Sequence, residues 1–156
     1  MTKLDKQIFV TKQGLKKLKN EYKELIGKVR QQIALRIQKA RESGDLTENA
    51  QYEAAREEQA VVEGRILQLD DILKKAQVVN KAEKCKVITL GCRVKVKLEE
   101  QEDEFEIVGA EEADPLSKKI SHESPLGKAL LGKKPGDKVL VDAPAGKITY
   151  VILEIK

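Results

Sequence analysis

The stretch ESGDLTENAQYEAAREE, residues 42–58, decides how the first half of the chain is read. Gly44 interrupts what otherwise reads as one long helical pattern, and it stands where a helix commonly ends in left-handed geometry. Asp45 follows at once, with Glu48 three positions on. That is the spacing of a capping box, in which a side-chain acceptor and a carboxylate satisfy the free amides of a new helix start. A stop followed directly by a start predicts two helices joined by a tight turn. One continuous helix that dimerises is the alternative, because glycine inside a helix costs only about 1 kcal/mol.

Working outward from the turn, apolar residues recur in steps of three and four. Before it come Leu15, Leu18, Tyr22, Leu25, Val29, Ile33, Ile37 and Ala40; after it come Ala55, Gln59, Val62, Ile66, Leu69, Leu73 and Ala76. Heptad-like spacing places these side chains on one narrow seam per helix. Thr11 is the expected N-cap of the first helix. Each helix runs for about 30 residues and is therefore roughly 45 Å long at 1.5 Å per residue. So short a connection forces the two to run antiparallel.

From about Asn80 the pattern changes. KCKVITL (84–90), RVKVKL (93–98), FEIV (105–108), KVLV (138–141) and KITYVILEI (147–155) are short and β-rich, with glycines and acidic turns between them. In SPLGKALLG, Ser124 is suited to cap a helix, Pro125 to its first position and Gly132 to its end. The fold class expected is α+β. An N-terminal antiparallel helical coiled-coil hairpin covers residues 1–78, and an antiparallel β-sheet domain with one short helix covers residues 79–156.

Composition agrees with thin or elongated parts. The chain has 156 residues, 40% apolar and 36% charged, with two Phe, three Tyr and no Trp. The 30 basic and 26 acidic residues leave a net charge of +4. This mixed surface lacks the one-signed face of a tight duplex-DNA binder and fits a large charged protein partner. No apolar run is long enough to span a membrane, and MTKLDKQIFVT lacks the apolar core of a signal peptide, so a cytoplasmic location is expected. Cys85 and Cys92 match no common zinc spacing and have one histidine, His122, to help them; two reduced thiols are expected.

The tip is where chemistry concentrates. The plainer role of Asp45 and Glu48 is to cap the second helix, where negative charge suits the dipole. As hard oxygen donors they also suit Mg²⁺, but two carboxylates cannot hold that ion alone. They can complete a site that a partner has partly built. Asn49 can hydrogen-bond both a phosphate and a water. Tyr52 lies one turn past Glu48 on the same face, or else closes the seam beside Ala40. Arg41 and Arg56 flank the tip and suit bidentate phosphate binding; their plainer role is ion pairing with Glu42, Glu53 or Glu57.

ARESGDLTENAQYEAAREEQ (40–59), with GRI (64–66) and AQV (76–78), resembles the bacterial transcript cleavage factors of the GreA/GreB family, GreA more closely. In the second half IVGAEEAD (107–114) and ISHESPLGKALLGKKPGD (120–137) also match. The resemblance spans almost the whole chain. It implies a C-terminal domain similar to the FK506-binding proteins (FKBP-like) that docks on bacterial RNA polymerase. It implies a coiled coil that enters the polymerase's secondary channel and stimulates cleavage of the 3′ end of backtracked nascent RNA. By the same resemblance, Asp45 and Glu48 would help hold the second Mg²⁺ of the polymerase's active site. Asn49 and Tyr52 would position phosphate or water. Arg41 and Arg56 would contact extruded RNA, and Ser124 and Pro125 would lie in the docking region. The factor would be a monomeric accessory without a tightly bound cofactor. Relatives that inhibit polymerase depart from the GDLXENAXY pattern, which is intact here. The basic residues Arg30, Arg36, Lys39, Arg41, Arg56 and Arg65 are interleaved with glutamates, which suits a GreA-like role on short backtracks.

Three other functions remain open. A prolyl isomerase is suggested by the FKBP-like resemblance, although the C-terminal half offers only Phe105 and Tyr150 as aromatics. A passive adaptor or inhibitor would be indifferent to loss of the tip carboxylates. An autonomous nuclease would cut RNA without polymerase.

Overall fold

The computed structural model describes residues 7–42, 46–80 and 85–156, apart from the side chains of residues 46–48. The chain divides into two compact units, one formed by residues 16–75 and the other by residues 1–15 together with 76–156.

The helical unit is a hairpin. Its first arm is α1 (Lys12–Glu24), a π-helical turn (Leu25–Val29) and α2 (Arg30–Glu42); its second arm is α3 (Leu46–Lys75). Thr11 caps α1 as its position predicts, its hydroxyl accepting from the Gly14 amide at 3.0 Å. The π turn was not anticipated, yet it leaves a trace in the sequence. The steps Leu25–Val29–Ile33–Ile37 are three fours in a row, where a heptad pattern alternates three and four. One extra residue per turn keeps the seam facing its partner. Around Ile33, Ile37 and Ala55 a buried cluster forms, with Val29, Tyr52 and Val62 packed on it. Farther along α3, Ile66, Leu69 and Ile72 are buried. Ile72 takes a core place for which the heptad reading nominated Leu73, which is half-buried. Ala76 leaves the helix altogether. Arg30–Glu63, Arg36–Glu58 and Arg65–Glu21 bridge the two arms at 2.6–2.7 Å. The first two pairs are exposed and the third is partly buried, so water screens them and each adds little.

The second unit contains two sheets. β1 (Ile8–Val10) and β2 (Ala76–Val78) pair in parallel. Neither strand was expected, since each has three residues and abuts a long helix. The larger sheet has the order β5-β4-β3-β7-β6, with β3 (Arg93–Leu98), β4 (Gln101–Val108), β5 (Lys119–Ser121), β6 (Lys138–Ala143) and β7 (Gly146–Ile155). β3 has the bounds the sequence predicts. Its alternation buries Val94 and Val96 while Arg93, Lys95 and Lys97 face outward. The sheet is mostly antiparallel, as expected, but mixed through one parallel edge pair. β5 runs parallel to β4 because the chain between them makes a crossover of two 3₁₀ turns instead of a hairpin.

Ile88, Val94, Val96, Ile107, Leu130, Val139, Val141 and Ile152 form the core of this unit. Leu130 comes from α4 (Pro125–Leu130), which packs against the sheet. Two sequence expectations fail between 85 and 92. The described part of KCKVITL is irregular rather than a strand. Ile88 reaches the core through main-chain bonds to the turn after α4, from Ile88 N to Lys133 O at 2.9 Å and from Gly132 N to Ile88 O at 2.8 Å. Cys85 and Cys92 are joined as a disulfide, not free thiols. A turn at Thr89–Cys92 brings their Cα atoms to 6.6 Å, within bridging range.

The segment IVGAEEAD acts as a clamp inside this unit. The Glu112 carboxylate accepts from the Thr11 amide at 2.8 Å and from the Thr11 hydroxyl. Gly14 and Gly109 allow this approach. A Cβ at Gly14 would sit 1.9 Å from that carboxylate, and one at Gly109 would sit 2.0 Å from the Phe9 carbonyl oxygen. No helix among the described residues is long and apolar enough to cross a membrane.

Candidate functional site at the hairpin tip

α2 ends at Glu42 and α3 begins at Leu46; Gly44, where the sequence predicts the turn, lies outside the described residues. Asp45 lies outside the described residues. Glu48 belongs to the first turn of α3, and its side chain also lies outside them. Asn49 follows, exposed to solvent.

Tyr52 has two surfaces. One side of the ring packs on the cluster of Ile33, Ile37 and Ala55, which fixes it to the seam. The Arg41 guanidinium lies over the ring, 5.7 Å from its centroid, close enough for a cation–π attraction. Hydrogen bonding from Arg41 holds the Tyr52 phenol below its ordinary pKa; partial burial opposes this, and the charges of Arg41 and Arg56 reinforce it. The ring therefore closes the seam, with the Arg41 guanidinium beside it.

Arg41, Tyr52 and Arg56 thus come together electrostatically beside the turn. Arg56 donates to Gln59 at 3.0 Å. Among the described residues no carboxylate pairs with Arg41 or Arg56, unlike Arg30, Arg36 and Arg65, which each bind a glutamate across the hairpin. Sequence proximity suggested Glu42, Glu53 and Glu57 as partners. The glutamates that pair with the hairpin arginines lie 22–44 residues away in the chain.

A groove of about 410 Å³ also opens between α2 and α3, lined in part by Arg36, Lys39, Gln51 and Glu58. Lys39 and Gln51 were not singled out from the sequence as a pair, because they lie on different arms. No group of three His, Cys, Asp or Glu side chains among the described residues can hold a metal ion.

Ser124 and Pro125 lie in the other unit. The Ser124 hydroxyl donates to the Ser121 carbonyl at 2.7 Å and accepts from the Gly127 amide at 3.0 Å, so it is committed to starting α4. Pro125 occupies the first helical turn and is exposed. Gly127 is required there, since a Cβ would lie 2.0 Å from the Ser121 carbonyl oxygen. Nearby, His122 meets Phe9 edge-to-face at 6.3 Å between ring centroids.

Residues 8–78 match the family model for the N-terminal region of the GreA/GreB transcription elongation factors, and residues 82–156 match the model for their C-terminal region. Transcription elongation factor GreA of Thermoanaerobacter pseudethanolicus is 48% identical over 156 residues, covering 98% of this chain and 99% of the relative. GreA of Clostridium acetobutylicum is 45% identical, covering 97% and 98%. Among solved structures, GreA factor homolog 1 of Thermus thermophilus is similar at 32% identity, covering 97% of this chain and 99% of its own, with a TM-score of 0.46. The chain belongs to the GreA/GreB family of transcription elongation factors.

Proposed function

We propose that this chain is a transcript cleavage factor that acts on arrested RNA polymerase complexes. It enters the secondary channel and stimulates Mg²⁺-dependent cleavage of the 3′ end of backtracked nascent RNA. The observation that carries this reading is the near full-length similarity to factors named GreA, together with an unbroken GDLTENAQY tip. The chain is an accessory factor, and the hydrolysis belongs to the polymerase.

In this reading residues 1–78 form the channel-entering hairpin with its acidic tip. Residues 79–156 form an FKBP-like docking module that carries Ser124 and Pro125. Asp45 and Glu48 supply two oxygen ligands toward a Mg²⁺ that the polymerase holds, and such an ion can activate the attacking water. Asn49 hydrogen-bonds the scissile phosphate or that water. Tyr52, held by Arg41, presents its hydroxyl beside them, and Arg41 and Arg56 attract the extruded RNA strand. The factor works as a monomer in the cytoplasm, where polymerase is.

The test uses halted complexes with backtracked RNA. Adding the purified chain is expected to accelerate release of a 3′-terminal fragment, and the chain alone is expected to leave RNA intact. No acceleration would favour the adaptor or inhibitor reading. RNA cut without polymerase would favour the nuclease.

A further inference from the structure

The chain's charge is unevenly placed. Residues 16–29 contain Lys16, Lys17, Lys19, Lys23 and Lys28 against Glu21 and Glu24 alone, and so carry +3. All five lysines are exposed. The arginines of the hairpin and the lysines at the end of α3 all have partners: Arg30, Arg36 and Arg65 bind glutamates, Arg41 grips Tyr52, Arg56 bonds Gln59, and Lys74 and Lys75 bind Asp70 and Asp71. Among the described residues, none of the five lysines forms an ion pair. The carboxylate nearest in sequence to Lys17 and Lys19, Glu21, is bound in a fork by Arg65 at 2.7 and 3.0 Å.

Lys16, Lys19 and Lys23 also share a face. At 3.6 residues per turn they fall within a sector of about 60° and span about 10 Å along α1. We propose that Lys16, Lys19 and Lys23 form a cationic docking strip for an acidic protein surface, which, on the functional reading above, belongs to RNA polymerase. A strip for single-stranded RNA would be expected to offer aromatic rings or arginine planes for stacking. The exposed positions of this face, Lys16, Lys19, Asn20 and Lys23, offer neither. Ammonium groups on flexible stems are hydrated point charges, poor at bidentate clasping of phosphate but well suited to long-range attraction toward carboxylates. The strip therefore acts on the rate of encounter rather than on the cleavage step.

The experiment measures association of the full-length protein with RNA-free polymerase core by stopped flow, at low and high salt. Wild type is compared with the triple variant Lys16→Glu/Lys19→Glu/Lys23→Glu and with its glutamine counterpart. At low salt the charge reversal is expected to slow association about tenfold or more, and the glutamine variant by less. The gap should close as salt screens the charges. Cleavage at saturating factor should remain at the wild-type level, which also shows that the variants fold. Equal association rates would overturn the strip. So would a defect seen only when extruded RNA is present, because the contact would then be with RNA. A wild-type chain that fails to bind polymerase at all would remove the functional reading and the strip together, an outcome distinct from equal rates.

Discussion

In the hairpin the buried side chains follow one another along a seam, with Ile33, Ile37 and Ala55 toward the turn and Ile66, Leu69 and Ile72 farther along α3. In the β unit eight buried side chains from four strands, α4 and the 85–92 loop meet in a single cluster. The difference lies in where the contacts reach. Along a seam each apolar residue supports mainly its own turn, and cross-arm ion pairs add small local increments. In a converging core each residue supports strands that are distant in sequence. The hairpin is thereby organised as a carrier whose turn can be altered without disturbing its far end, while the β unit stands or falls as a whole.

The largest test of that contrast is Ile152→Ala. Ile152 is fully buried at the centre of the β core, and truncation is expected to cost about 4 kcal/mol. Hydrogen exchange should then rise throughout the large sheet. Ile33→Ala should cost about 3 kcal/mol but raise exchange only in neighbouring turns of α2 and α3. Uniform loss across both arms would show that the seam is as cooperative as the core.

Reduction of Cys85–Cys92 comes next. Opening so short a closed loop is expected to lower stability by about 2.5 kcal/mol on the chain-entropy account. Thermal melting with and without a reductant should show the loss in the β unit and leave helix melting in place. Loss of helicity instead would place the constraint in the wrong unit.

A smaller effect is expected at Arg36→Gln, which removes an exposed ion pair with Glu58. Stability should fall by less than about 0.5 kcal/mol. The difference should vanish in high salt, and a larger loss would mean that ion pairs contribute more to the hairpin than its seam suggests.

The subtlest is a titration. Folding lowers the Tyr52 pKa from its reference of 10.0 through Arg41. The stabilisation is therefore present above the unfolded phenol value and is lost as pH falls through the folded one. Ring ¹³C shifts should show Tyr52 ionising below 10.0, and Arg41→Gln should move that ionisation upward. An unmoved titration would mean that Arg41 does not hold the phenol.

The parts legible in the sequence were those specified locally. The Thr11 cap, the Ser124–Pro125 helix start and the alternation of Arg93–Leu98 depend on neighbours a few residues apart, and the structure keeps all three. What escaped was set by distant partners. β1 and β2 are three residues each and exist because they pair with each other across the whole hairpin. β5 is a strand only because β4 is beside it. The Cys85–Cys92 bridge depends on a turn that strand-like residues conceal. At the tip the sequence nominated Arg41 and Arg56 by position. It could not show that the other hairpin arginines are engaged by glutamates on the opposite arm, which is what distinguishes these two.

The proposed function rests on the carboxylates of Asp45 and Glu48 acting on chemistry performed by another molecule. The direct measurement is Asp45→Asn with Glu48→Gln in the halted-complex cleavage assay, with polymerase binding measured on the same samples. The expected result is binding within about twofold of wild type and a cleavage rate reduced by about 100-fold or more, equivalent to at least about 2.7 kcal/mol in the barrier. Undiminished cleavage by the double variant would contradict the account.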